Sequence, residues 1–283
     1  MRRILVILAL LAAVALSIVG ASGASRPTRT ESYGAKQAAK HTAAVSTPPI
    51  VPFIQTLRVG QKGCECPTVF QLQRALKAAG VRPKSQPATG YFGKLTGRQV
   101  AAFQRKVRIA PSGIYGSKTH HALSKFYDKA GRQRLLAVAH SRRIVAITHA
   151  IVVVTAHAWL HRMSMAYSEG SSRGDLPSYP GIPPATDCSG YVTWVFHSVG
   201  LPDPNGLGYS PVGWTGTMGN RGTVVSATNA RIGDLAFYGG GYPFGHVAIV
   251  VHLHPTLVSS HGEPGIDVLS ITYRPLSQLR RYF

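Results

Sequence analysis

Four runs rich in β-branched and aromatic residues, DLAFY, HVAIVVHL, TLVSSH and IDVLSITY, crowd into residues 234–273 with only turns between them. Runs of this length and composition read as strands, and strands joined by turns pair antiparallel. The segment before them, 167–222, is rich in glycine and proline and is broken by one helical stretch at 187–199. Upstream, 129–166 reads as a long helix containing IVAITHAIVVVTAHAWLHRM. Two helices followed by an antiparallel sheet make an α+β arrangement. Thr148, His149, Thr155 and His157 interrupt the apolar helix, and each is costly in lipid. The expectation is therefore a largely buried first helix of a second domain rather than a membrane span.

A first domain is marked by an internal echo, GYFGKLT at 90–96 and GIYGSKT at 113–119. Each copy precedes a helix-like stretch, TGRQVAAFQRKV and SKTHHALSKFY, and a third helix, PTVFQLQRALKAAG, comes before both. The glycines supply turns, and the Ser or Thr is expected to cap the helix that follows. A small three-helix unit at 59–128 results.

The N-terminus opens on MRR, runs apolar from Ile4 to Val19 and passes into GASGAS. This layout predicts a secretory signal peptide over 1–24. Residues 25–58, rich in Ala, Ser, Thr, Pro and Lys without periodicity, read as a disordered tether. The chain carries a formal charge of +21, and losing Arg2 and Arg3 with the leader leaves +19. On an exported protein that balance favours a polyanionic surface such as anionic wall polymers. There is no zinc-finger spacing and no aromatic-interleaved basic stripe, so no nucleic-acid partner is expected. The expected location is secreted or wall-associated, with no stable membrane insertion once the leader is cut.

Three cysteines are too few for a disulfide scaffold. Cys64 and Cys66 are separated by one residue, and a bridge between them would close a very tight ring. Cys188 is then the odd thiol, and it stands in ATDCSGYVTWVFHSVG where an apolar helix begins. Thr186 or Asp187 can cap that helix, and a thiol in the first turn is favoured as the thiolate. A thiolate needs a proton carrier, and His246 heads the apolar strand HVAIVV just after Gly245. The imidazole needs an orienting partner. His261, at the end of the next strand, is the first candidate, with Ser260, Glu263 and Asn229 as alternatives. CEC and the pair His120–His121 fit no common zinc spacing, so neither metal nor cofactor is expected.

These motifs carry two resemblances. The helix and echo motifs resemble the small peptidoglycan-binding domain found in many wall hydrolases, over about 60 residues, which implies wall attachment. DCSGYVTWVF, GDLAFY and GHVAIVV, in that order over about 145–283, resemble the NlpC-type cell-wall cysteine peptidases. That resemblance implies a papain-like domain at 129–283 cleaving stem-peptide bonds of peptidoglycan, often between D-glutamate and a diamino acid. It implies Cys188 as nucleophile, His246 as proton shuttle and His261 as orienting residue. It also implies Asp187 and Ser189 as stem-peptide contacts and Tyr167 as a groove tyrosine. Tyr179 competes for that last place, because the stretch from Tyr167 to Cys188 is long. Trp214, in the glycine-rich loop 203–220, is read as lining or covering the groove.

The closest rival is a CHAP-type N-acetylmuramoyl-L-alanine amidase with the same Cys and His logic. A catalytically silent wall-binding protein is a third reading. A glycosidase needs two facing carboxylates, and the ten acidic residues form no suggestive pair.

Overall fold

A computed structural model describes residues 51–59, 67–169 and 176–283. The expected leader, most of the tether, and Cys64 and Cys66 lie outside the described residues. The remainder forms two compact units, one ending at Arg143 and one beginning at Ile144.

The first unit holds α1 (Pro67–Ala78), α2 (Lys94–Lys106) and α3 (Ser117–Leu123). Its core gathers Val51, Leu57, Leu72, Leu76, Phe92, Val100, Phe103, Tyr115 and Leu123. The tether expected to reach residue 58 is corrected at its end, because Val51 is buried in this core and Leu57 exchanges two backbone hydrogen bonds with Tyr115. The echo has a physical basis in two buried glutamines. Gln73 donates to Tyr91 O and Thr96 Oγ1 and accepts from Gly90 N. Gln104 donates to Ile114 O and Thr119 Oγ1 and accepts from Gly113 N. Each glutamine thus pins one copy of the turn. Gly90 and Gly113, at φ +77° and +69°, occupy a conformation open mainly to glycine. The threonines are not caps, as the sequence suggested. Gly93 and Gly116 hold the cap positions without a side-chain bond, while Thr96 and Thr119 sit buried in the first turn, where the glutamines reach them.

Helix α4 runs from Lys129 to Leu160. The sequence reading divides the chain at 128/129, but Leu135 of this helix packs in the first core and Ile151, Val154 and Ala158 pack in the second. Its expected deep burial is corrected. The helix is long and apolar enough to cross a membrane by length and composition, and 22 % of its most apolar window is buried. Val145, for example, is 65 % exposed.

The second unit is α+β, as expected. Helix α5 (Cys188–Ser198) packs on a six-stranded antiparallel sheet, ordered β3 (Thr223–Val225), β8 (Leu276–Arg281), β4 (Leu235–Tyr238), β5 (His246–His252), β6 (Leu257–Gly262) and β7 (Gly265–Ser270). A two-residue parallel pair, β1 (Ala166–Tyr167) with β2 (Ala185–Thr186), leads into α5. A short helix, α6 (Thr215–Gly219), precedes β3. Period-2 alternation sorts the sheet into two faces. Leu235, Phe237, Val247, Ile249 and Val251 join Trp194 and Phe196 of α5 in one core. Ala236, Tyr238, Ala248, Val250 and Val258 form a second core on the other face. Both faces are covered, which is why β4 and β5 read as continuous apolar runs. Nothing in the sequence LSQLRR announces β8, because it has no such run. Pairing with β3 and β4 builds it, and Arg281 anchors it by a two-pronged bond to buried Asp234.

Candidate active site

The start of α5 explains DCSG residue by residue. Asp187 is the N-cap and accepts from Gly190 N at 2.7 Å and Ser189 Oγ at 2.8 Å. Cys188 follows in the first turn, 5 % exposed, where the unpaired N–H groups of a helix favour an anion. A Cβ on Gly190 would collide with Thr186 Oγ1, so the fourth residue of the motif has to be glycine. Asp187 and Ser189, expected at the stem peptide, are both buried and bonded to each other in the cap. Together they build the turn that carries Cys188.

His246 is the first residue of β5, 5 % exposed. Burial first, and then the Arg274 and His261 charges, lower its proton affinity to about pH 4, against a smaller upward pull from Asp187. The imidazole is neutral near pH 7 and able to accept a proton. The start of α5 and the head of β5 share one electrostatic neighbourhood. Asp187 acts on His246. Cys188 in turn is among the groups that raise Tyr273, after burial, and the Tyr273 ring lies 6.4 Å from that of His246.

The expected orienting role of His261 is corrected by the pleat. β5 and β6 pair with Ile249 opposite Ser259 and Val250 opposite Val258. Residues 246, 248, 250, 258 and 260 therefore share one face, and 259 and 261 point to the other, toward α5. Ser259 Oγ accordingly meets Tyr191 Oη of α5 at 2.6 Å. It is Ser260 Oγ that meets His246 Nε2, at 2.8 Å, and Tyr273 Oη meets Ser260 Oγ at 3.0 Å. His261 is fully buried, with Nε2 3.3 Å from Ala166 O and its ring edge-on to Tyr167 and Tyr191. It braces the β1–β2 lead-in rather than the imidazole.

Tyr167, on β1, is at the site. Burial, followed by Cys188, Glu169 and Asp187, pushes its hydroxyl up to about 12. Tyr179 instead packs edge-on against His157, 5.2 Å away. Trp214, 39 % exposed, is the N-cap of α6. That helix docks on the loop before β5 through Thr215 Oγ1, which donates to Phe244 O. A cavity of about 360 Å³ opens beside His246, Ser260 and Tyr273, walled by Arg162, Glu263 and Arg274. Among the described residues no group of three or more His, Cys, Asp or Glu is arranged to hold a metal. His120 has both ring nitrogens engaged, by Tyr115 Oη and Val51 O. Asn229 lies in a short turn before β4 and Glu263 in the β6–β7 hairpin.

Ser260, one of several alternatives in the sequence, and Tyr273, unremarked there, are what the structure adds. Strand periodicity could have separated Ser260 from His261 only if the register of the β5–β6 hairpin were known.

Residues 67–123 match the family model described as "Putative peptidoglycan binding domain". Residues 178–263, which include Cys188, His246 and Ser260, match the CHAP domain. No curated protein matches the chain. Among solved structures, the NlpC/p60 domain of the peptidoglycan hydrolase SagA is 25 % identical over 47 % of this chain and 97 % of its own, with a TM-score of 0.34. The P60 domain of an antigen from M. avium subspecies paratuberculosis is 22 % identical over 48 % and 96 %, TM-score 0.34. RipD from Mycobacterium tuberculosis, a non-catalytic NlpC/p60 domain protein, is 22 % identical over 47 % and 98 %, TM-score 0.33. By its family matches the chain carries one region similar to a peptidoglycan-binding domain and a second similar to a CHAP domain, which supports a cell-wall hydrolase.

Proposed function

We propose that the protein is a secreted thiol hydrolase of peptidoglycan, exported by residues 1–24, with the residues between the leader and Val51 as its tether. The observation that supports this reading is that a capped, first-turn Cys188 and a neutral, buried His246 lie in one electrostatic neighbourhood, Asp187 acting on His246 and Cys188 on Tyr273 beside it. In the proposed reaction Cys188 Sγ attacks an amide carbonyl of the stem peptide and passes its proton to His246. The backbone N–H of Cys188 steadies the developing oxyanion. His246 then protonates the leaving amine as the C–N bond breaks, leaving a thioester. Water, deprotonated by the same imidazole, releases the acid and restores the thiol. Tyr167 borders the thiol, and Trp214 flanks the loop leading to His246, so both suit the walls of a substrate groove.

The bond proposed is the one between D-glutamate and the diamino acid, as in the peptidases that the sequence resembles. The CHAP match at 178–263 favours a second reading, an amidase that separates the sugar from the peptide. Digestion of purified peptidoglycan by the mature chain and by Cys188→Ala, with fragments identified by mass spectrometry, separates them. Free peptides bearing an N-terminal diamino acid mark the endopeptidase, and intact stems freed from the glycan mark the amidase. Equal release by Cys188→Ala refutes the thiol mechanism.

A further inference from the structure

A histidine that serves a thiol must present one particular ring nitrogen, and something must hold the other. In this chain the residue holding it is a serine backed by a tyrosine. His246 Nε2 lies 2.8 Å from Ser260 Oγ, and Ser260 Oγ lies 3.0 Å from Tyr273 Oη. His246 and Ser260 are both 5 % exposed, so the bond between them is sheltered from competing water. The Tyr273 ring also stands edge-on to those of His246 and Tyr238, at 6.4 and 5.1 Å, which limits where its hydroxyl can go. The strand register gives the same answer independently, because it places Ser260 on the face of His246 and His261 on the other.

We propose that Ser260, held in turn by Tyr273, is the positioning residue that fixes the orientation and tautomer of the His246 imidazole. The inference rests on the reading of Cys188 and His246 as thiol and base. With Nε2–H donating to Ser260 Oγ, Nδ1 is the nitrogen left with a lone pair for the thiol proton. The Ser260 hydroxyl then donates to Tyr273 Oη. The Tyr273 proton is left to point toward the cavity that both residues line. A hydroxyl pair orients the ring without adding a negative charge, so nothing at Nε2 offsets the burial and the Arg274 charge that keep His246 neutral.

The test needs no peptidoglycan. In the full mature chain, the rate of Cys188 alkylation by iodoacetamide is followed across pH by peptide mapping, which separates Cys188 from Cys64 and Cys66. The His246 tautomer is read from its ¹⁵N ring shifts. Ser260→Ala is expected to slow Cys188 alkylation at pH 7 about tenfold, less than the roughly 10²–10⁴ a positioned base contributes because the base itself remains, and to mix the tautomers. Tyr273→Phe, which keeps the ring packing, is expected to slow it about threefold, and Ser260→Thr to return it to within about twofold of wild type. A wild-type tautomer and pH profile in both Ser260→Ala and Tyr273→Phe would overturn the proposal. So would a loss in His261→Gln that Ser260→Ala does not show. If His246→Ala itself leaves the alkylation profile unchanged, the thiol–base pair falls and the proposal with it. Cleavage of peptidoglycan is scored separately, so a chain with an intact pair and no hydrolysis would count only against the hydrolase reading.

Discussion

Gly190 is the position where sequence, backbone and site meet most tightly, and replacing it by alanine gives a signed prediction. Gly190 lies inside α5, outside the positive-φ residues, so no backbone strain opposes a side chain there. On helix propensity alone, Gly190→Ala would stabilise by about 0.5–1 kcal/mol. Packing reverses the sign. The new Cβ would stand well inside contact distance of Thr186 Oγ1, with Thr186 Cβ at 3.3 Å and Asp187 Oδ1 at 3.4 Å behind it. Thr186 is itself buried, so it cannot simply swing out. Overpacking of this kind costs about 1–3 kcal/mol, and the expected net effect is destabilisation of that size. Thr186→Ala removes the colliding oxygen and leaves only the contacts at 3.3 and 3.4 Å, which a few tenths of an ångström relieve. In that background Gly190→Ala should cost less by about 1–2 kcal/mol, a coupling expected of touching residues. Urea unfolding followed by tryptophan fluorescence measures this cleanly. Trp159, Trp194 and Trp214, the three tryptophans of the chain, all lie beyond Ile144, so the signal reports the second unit. A Gly190→Ala chain as stable as wild type, or equal costs in both backgrounds, would refute the steric reasoning.

Further outcomes follow from the same geometry. Because His246 is held near pH 4 in the folded chain against an ordinary value of 6.5, its neutral form persists as pH falls, and the acid limb of Cys188 alkylation should lie well below 6.5; Arg274→Ala, removing one of the charges that lower it, should move that limb upward. The same shift makes the folded state bind fewer protons than the unfolded one between pH 6.5 and about 4, so the contribution of His246 to stability is fully present above 6.5 and drains away as pH drops through that window in urea titrations. Tyr191→Phe should cost about 1–3 kcal/mol in urea unfolding, because Ser259 Oγ is fully buried and loses its 2.6 Å partner, whereas adding Ser259→Ala should recover most of that loss.

Much of the chain could be read without coordinates, and the reasons are local. The Cys188 position follows from an Asp cap, a first turn and a glycine, all within four residues, and helix capping is decided at that range. His246 at a strand head, the apolar β4 and β5 and the repeated glycine turns are likewise short-range signals. What the sequence concealed depends on partners far along the chain. β8 exists because β3 and β4 pair with it, and α4 is apolar yet largely uncovered, which no periodicity in α4 reveals. The choice between Ser260 and His261 is the sharpest case. Adjacent strand residues face opposite ways, so one step of register exchanges their roles. That register is set in the β5–β6 hairpin, where the pairing shifts between Val250 and His252. Residue identities alone therefore set a thiol at a helix start and an imidazole at a strand head. Only the folded hairpin decided which neighbour holds the imidazole, because a pleat assigns faces by pairing and not by composition.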